Sequence, residues 1–115
     1  RHSASLILRA NNAHEAFDLL AQHEVGVILS DQKMPGMSGV EFFSQVRHMH
    51  PDSVRIILSG AADMQAATDA INLGAVYRFL NKPWEDDALN AAIRVAFETY
   101  RTQKRLRALG GKRQN

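Results

Sequence analysis

Three chemically capable side chains fall where runs of apolar residues end: Asp31 after Val25–Ser30, Ser59 at the close of Val54–Ser59, and Lys82 in Asn81-Lys82-Pro83 after Val76–Leu80. A carboxylate, a hydroxyl and an ammonium on one edge form a site for acquiring, holding and sensing a phosphoryl group. The carboxylate is the nucleophile, the hydroxyl hydrogen-bonds a phosphoryl oxygen, and the ammonium pairs with the charge. Each residue alone has an ordinary reading, since Asp caps loops, Ser ends strands and Lys is usually a solvated charge. Their succession at three strand ends sets them apart.

The elements that would position them alternate strictly. Residues 5–10 read as a short strand, and Asn12 can cap a helix over 13–23 with Ala16, Phe17, Leu19 and Leu20 on its inner side. Residues 25–30 are apolar at consecutive positions, the pattern of a strand covered on both faces. A Pro/Gly-rich loop (31–39) leads to a helix over 39–49 that buries Val40, Phe42 or Phe43, and Val46, and stops before Pro51. Residues 54–59 are the next strand, 63–72 a helix closed by Gly74, and 76–80 a fourth strand. The last helix starts near Trp84 and runs to about Arg107, leaving 108–115 as a linker or disordered end. This βαβαβαβα order predicts an α/β fold: a doubly wound parallel sheet with helices on both faces and its chemistry beyond the carboxyl ends of the strands.

Composition narrows the function. The 115 residues are one domain's length, and the absence of cysteine excludes a disulfide framework, Cys-ligated metal and thiol catalysis. No apolar run suits a bilayer, and the opening RHSAS lacks a signal peptide's apolar core, so the expected setting is cytoplasmic with no membrane partner. Six of the fourteen basic residues follow Glu98; the first 100 residues hold eight basic against twelve acidic, a formal charge of −4. The body has no basic face, so direct nucleic-acid binding is not expected of it.

Three segments, Val27–Gly39 (VILSDQKMPGMSG), Val54–Gly60 (VRIILSG) and Gly74–Trp84 (GAVYRFLNKPW), resemble the receiver domain of two-component response regulators, a CheY-like, flavodoxin-like fold. The resemblance spans about residues 5–100, within a receiver domain of 1–107. It implies that Asp31 is the phosphoacceptor, Ser59 the hydroxyl that moves toward the phosphoryl group, Lys82 the ion-pair partner and Phe79 the switch aromatic. It further implies a magnesium ion held by Asp31 and the backbone carbonyl of Lys33, with Met34, Pro35 and Gly39 shaping the loop. The implied partners are a sensor histidine kinase and a fused or separate output domain.

One departure stands out. The family's first strand, with its adjacent acidic pair, and its first helix precede the strand matched by residues 5–10, and here only Arg1–Ala4 come before it. The reading is therefore of a receiver truncated at its N-terminus, with an incomplete metal site. The strands at 5–10 and 25–30 would each lose a neighbour, which predicts a homodimer or a strand-exchanged assembly rather than a well-behaved monomer. An alternative is a pseudo-receiver that binds partners or dimerises without phosphorylation. A haloacid dehalogenase-type hydrolase is disfavoured because position 33 is Lys where that family has a second Asp, so no enzyme activity is expected.

The five histidines lack metal-ligand spacing and read as surface residues. Leu89, Ile93, Ala96, Tyr100 and Gln103 recur at spacings of 4, 3, 4 and 3, either a sheet-facing stripe or the seam of a paired helix. The final segment also resembles receivers attached to sigma-54-class transcription activators or to cyclic-di-nucleotide phosphodiesterases.

Overall fold

The computed structural model describes residues 6–60, 78–81 and 85–113, with only the backbone described for Leu6, Ser59, Phe79, Asn81 and residues 110–113. The helix expected over 63–72, its Gly74 cap, Lys82 and Trp84 lie outside the described residues.

The described elements follow the expected alternation: β1 (Leu6–Ala10), α1 (Ala13–Gln22), β2 (Val25–Asp31), α2 (Gly39–Met49), β3 (Val54–Ser59), β4 (Arg78–Asn81) and α3 (Asp86–Arg113). The strands form one parallel sheet in the order β1-β2-β3-β4. β2 is buried from Val25 through Ser30, as its unbroken apolar run requires of a strand covered on both sides.

Helices α1 and α2 cover one face. Ala13, Ala16 and Leu20 of α1 and Phe42, Phe43 and Val46 of α2 pack with Ile28 and Ile57. Both phenylalanines are fully buried; Phe42 meets Phe17 edge-on at 5.1 Å and Phe43 at 5.4 Å between ring centroids. Leu19, expected on the inner side of α1, is instead 42% exposed. It lies about a quarter turn from the line through Ala13, Ala16 and Leu20, outside the stripe the sheet can cover. His50, expected at the surface, is half-buried and donates from Nε2 to the Leu20 carbonyl at 2.8 Å, joining the C-terminal ends of α1 and α2. Arg55, only 8% exposed, donates to the His50 and Ser53 carbonyls and so closes the end of α2. Burial, with Arg47 nearby, pushes its guanidinium down to about 10, still protonated at neutral pH.

Helix α3 covers the other face, where Ala92, Ala96 and Tyr100, flanked by Leu89, Ile93 and Phe97, pack against Val27, Leu29, Val54, Ile56, Leu58 and Leu80. Through Tyr100, then, the 4-3-4-3 stripe faces the sheet rather than a second helix. α3 also continues to Arg113, so residues 108–113, expected as a linker, extend the helix. Leu106, Arg107, Ala108 and Leu109 are good helix formers, and no proline intervenes.

The largest difference from expectation is at the start of the sheet. The two strands expected to lose a neighbour pair directly with each other, in register from Ile7↔Val27 to Ala10↔Ser30. Both run the same way, and an unpaired buried amide or carbonyl costs roughly 1–3 kcal/mol, so direct pairing removes the backbone argument for strand exchange. The fit needs one irregularity: Leu6 pairs Val25 while Ile7 pairs Val27, so Gly26 is the extra residue of a bulge. A Cβ on Gly26 would lie 2.9 Å from Tyr100 Cδ2 and 3.1 Å from Phe97 Cε1.

Tyr100 is further held where β2 begins. Its hydroxyl and the Lys104 ammonium both donate to Glu24, and Arg107 Nε donates to Asp52 at 2.6 Å. Lys104, then Tyr100, holds the Glu24 carboxyl below its ordinary value, and Glu24 holds the Lys104 ammonium above its own. Burial, then Glu24, raises the Tyr100 phenol.

Two outcomes follow from this packing. Gly26→Ala should cost about 1–3 kcal/mol in urea unfolding, because the Tyr100 ring must shift. The Glu24 carboxyl titrates lower in the folded chain than in the unfolded one. Its stabilisation is therefore complete above pH 4.5 and is lost as pH falls through the lower folded value. Glu24→Gln should flatten the acid limb of the stability profile below pH 4.5 and leave its neutral region nearly parallel to wild type.

Candidate functional site

Asp31 closes β2, and the chain then turns through a short loop into α2. The turn is fastened mainly by Gln32, a residue that no sequence pattern singles out. Its N–H donates to the Leu58 carbonyl at 3.2 Å, its carbonyl accepts from Gly39 N–H at 2.8 Å, and its side-chain Oε1 accepts from Val40 N–H at 3.0 Å. Ser38 completes the helix start by a capping box: its Oγ accepts from Glu41 N–H at 3.1 Å while Glu41 Oε1 accepts from Ser38 N–H at 2.9 Å. The Ser-x-x-Glu spacing before Phe42 is a visible sequence signal of that cap. With its first N–H groups occupied, α2 is rigidly placed just behind Asp31.

The loop residues have distinct tasks. Gly36 adopts a left-handed conformation, φ 82°, which a side chain would resist. Gly39 serves a different end from the backbone freedom expected of it: a Cβ there would lie 2.5 Å from the Asp31 carbonyl oxygen and 2.7 Å from Ile57 Cδ1. It is small because α2 begins against the sheet. Ser30, fully buried, donates from Oγ to the Asp31 carbonyl at 2.9 Å and contacts Met34 Sδ at 3.4 Å. Met34 and Met37 pack on the α1–α2 core.

The register fixes which candidate positions share the edge. Asp31 pairs with Leu58, placing Ser59 one residue further along β3, and Ser59 pairs with Asn81 of β4. Phe79 pairs with Ile57, two positions back from Asn81. Asp31, Ser59 and the end of β4 thus lie at the carboxyl edge of three adjacent strands. Lys82, the next residue, lies outside the described part of the chain.

A contact that the sequence does not announce reaches the Asp31 carboxylate. Arg9, near the end of β1, donates from Nη2 to Oδ1 at 3.3 Å and lies 3.5 Å from Oδ2. It depends on β1 lying beside β2, which no local pattern encodes. The donor set suits a divalent cation poorly. Among the described residues no three His, Asp or Glu side chains gather as a possible metal group; the carboxylate already faces a guanidinium, and Lys33 is an exposed loop residue. A hard cation wants six or more oxygen ligands, and the described residues do not provide them.

A depression of about 210 Å³ lined by Glu24, His50, Asp52, Ser53 and Tyr100 lies at the amino ends of the strands, away from Asp31, and takes no part in this site.

Comparison with known proteins gives a consistent picture. The family model of the response regulator receiver domain matches residues 2–94. The hydrogenase transcriptional regulatory protein HoxA of Cupriavidus necator is 41% identical over 92 residues, covering 80% of this chain and 19% of HoxA. The DNA-binding transcriptional regulator NtrC of Escherichia coli K12 is 34% identical over 96 residues, covering 84% of this chain and 20% of NtrC. A crystal structure of the signal receiver domain of an HD domain-containing protein from Pseudomonas fluorescens Pf-5 superposes with a TM-score of 0.77 at 35% identity, covering 84% of this chain and 71% of that one. The chain spans about a fifth of the length of these two transcriptional regulators.

Gly39→Ala should push the start of α2 away from Asp31, with a stability loss of about 1–3 kcal/mol in denaturant titration, whereas Gly36→Ala should act only through its strained φ. Equal and negligible effects at both positions would contradict the close approach described at Gly39.

Proposed function

The chain belongs to the response regulator receiver domain family, and from that premise we propose that it is a switch in which Asp31 accepts a phosphoryl group from a sensor histidine kinase. Receiver domains are signalling modules rather than enzymes in their own right. A carboxylate oxygen of Asp31 attacks the donor's phosphorus, the P–O bond forms as the P–N bond breaks, and the electron pair returns to the imidazole. The product is an aspartyl phosphate, whose charge of about −2 replaces the carboxylate's −1. Ser59 contributes a hydroxyl to a phosphoryl oxygen, Lys82 pairs with the new charge, and Phe79 responds as the switch aromatic. The observation that carries this reading is the position of Asp31, at the carboxyl edge of the sheet on a loop fastened at Gln32 and Gly39.

Downstream, α3 is the route to an output domain, fused or separate. Relatives described as transcriptional regulators support a DNA-binding output rather than nucleic-acid contact by this domain. A homodimer joined through the exposed Leu106 and Leu109 of α3 fits the same role. Among the described residues no helix is long and apolar enough to cross a membrane, and a histidine kinase donor places the domain in the cytoplasm.

A second reading has one observation in its favour: the Arg9 guanidinium already faces both oxygens of Asp31, as suits an unphosphorylated interaction or dimerisation module. Labelling separates the two. After incubation with acetyl phosphate, intact mass should show addition of one phosphoryl group, absent in Asp31→Asn and reduced at least tenfold in Lys82→Ala. Labelling that persists in Asp31→Asn would overturn the acceptor assignment, and a wild-type chain inert to every donor would favour the second reading.

A further inference from the structure

Gln32 stands immediately after the candidate acceptor and is only 9% exposed. The first N–H groups of a helix lack partners within it, and in α2 Gln32 takes two of them. Its carbonyl accepts from Gly39 N–H at 2.8 Å, and its side-chain Oε1 accepts from Val40 N–H at 3.0 Å. Ser38 takes the next, its Oγ accepting from Glu41 N–H at 3.1 Å. The two caps differ in reach. Ser38 ties the helix to its own first turn, whereas Gln32 ties it to the end of β2, where its own N–H donates to the Leu58 carbonyl at 3.2 Å. Sheet, acceptor and helix are thereby joined across a single residue. The approach is close: a Cβ on Gly39 would lie 2.5 Å from the Asp31 carbonyl oxygen, which also accepts from Ser30 Oγ at 2.9 Å.

We propose that Gln32 is a positioning residue for phosphoryl transfer, holding the start of α2 against the Asp31 backbone so that the carboxylate meets the phosphorus from a fixed base. The proposal rests on Asp31 being the acceptor. In transfer from acetyl phosphate, an Asp31 oxygen bonds to phosphorus as the bond from phosphorus to the acetyl oxygen breaks, and acetate leaves with the electron pair. Gln32 makes and breaks no covalent bond in that step. Its part is geometric: phosphoryl transfer depends almost wholly on alignment and charge, and a shift of about 1 Å in a reacting group can cost about 10²-fold in rate. What the clamp requires is an oxygen acceptor at this side-chain length. Glutamate keeps that acceptor, while leucine fills the space without it.

Labelling over a range of acetyl phosphate concentrations, with magnesium chloride present throughout and intact mass as the readout, gives each variant a maximal rate and a half-saturating concentration. Gln32→Leu should lose about fivefold or more of the maximal rate with its half-saturating concentration unchanged. Gln32→Glu, which keeps an acceptor for Val40 N–H, should recover the maximal rate to within about twofold, its added charge raising instead the half-saturating concentration of the anionic donor. Ser38→Ala removes the other cap of the same helix and is the comparison: it should lower urea stability as Gln32→Leu does, yet stay within about twofold of the wild-type maximal rate. Gln32→Met takes the place of Gln32→Leu if circular dichroism shows the latter unfolded. Equal maximal rates in wild type and Gln32→Leu overturn the proposal, as do equal losses in Gln32→Leu and Ser38→Ala, or a Gln32→Glu rate no better than that of Gln32→Leu. Labelling that survives Asp31→Asn, or a wild type that does not label, overturns instead the acceptor reading beneath it, and the positioning role with it.

Discussion

Parallel pairing between β1 and β2 is the constraint from which most of this structure follows. Each strand would otherwise carry a row of amides and carbonyls into an apolar interior, and satisfying them against each other sets the sheet order. The pairing needs a bulge at Gly26, and the bulge in turn lets Tyr100 and Phe97 settle on β2. The same pairing carries the end of β1 alongside the end of β2, which is why a basic side chain from one strand meets the acidic side chain of the other. A backbone requirement at one end of the strands thereby shapes the electrostatics at the other.

Much of the architecture was legible in the sequence because it is local. Consecutive apolar residues marked β2, Asn12 marked the start of α1, where its side chain accepts from Glu15 N–H at 2.8 Å, and Pro51 marked the region where α2 stops. The bounds of α2 and β3 agree with the expected 39–49 and 54–59. What escaped is what depends on contacts distant in sequence. The exposure of Leu19, the burial of His50, the grip of Gln32 on α2 and the reach of Arg9 each depend on a neighbour brought in by the fold. Gly39 is instructive, since its identity was noticed but its reason was not: the need is closeness to the Asp31 carbonyl rather than an unusual φ. Of the three residues proposed for the chemistry, the strand register brings Asp31 and Ser59 to one edge. Lys82 and the helix expected over 63–72 fall outside the described residues.

The two ends of the sheet are organised on different principles. At the carboxyl edge, the loop after β2 is tied by backbone groups and one buried glutamine, leaving the Asp31 carboxylate partly open to solvent. At the amino edge, charged side chains join elements far apart in the chain: Glu24 with Tyr100 and Lys104, Asp52 with Arg107. The carboxyl edge thus sets a partly open carboxylate on a firm backbone, whereas the amino edge is tied laterally by side chains. This distribution of polar contacts places no unsatisfied buried side-chain polar atom among the described residues.

The resulting α3 is unevenly attached along its 28 residues. Up to Tyr100 it is part of the core, and opening it there would expose Ala92, Ala96 and the sheet beneath. Beyond Tyr100 it is held by ion pairs at half-exposed side chains, each worth about 0–1 kcal/mol, while Leu106 and Leu109 already face solvent. The free energy of local opening therefore falls along the helix, and amide hydrogens in its last turns should exchange through fraying long before those over the sheet, which exchange by global unfolding. One continuous helix thus behaves as two cooperative units, the second able to separate from the body without the cost of melting the first.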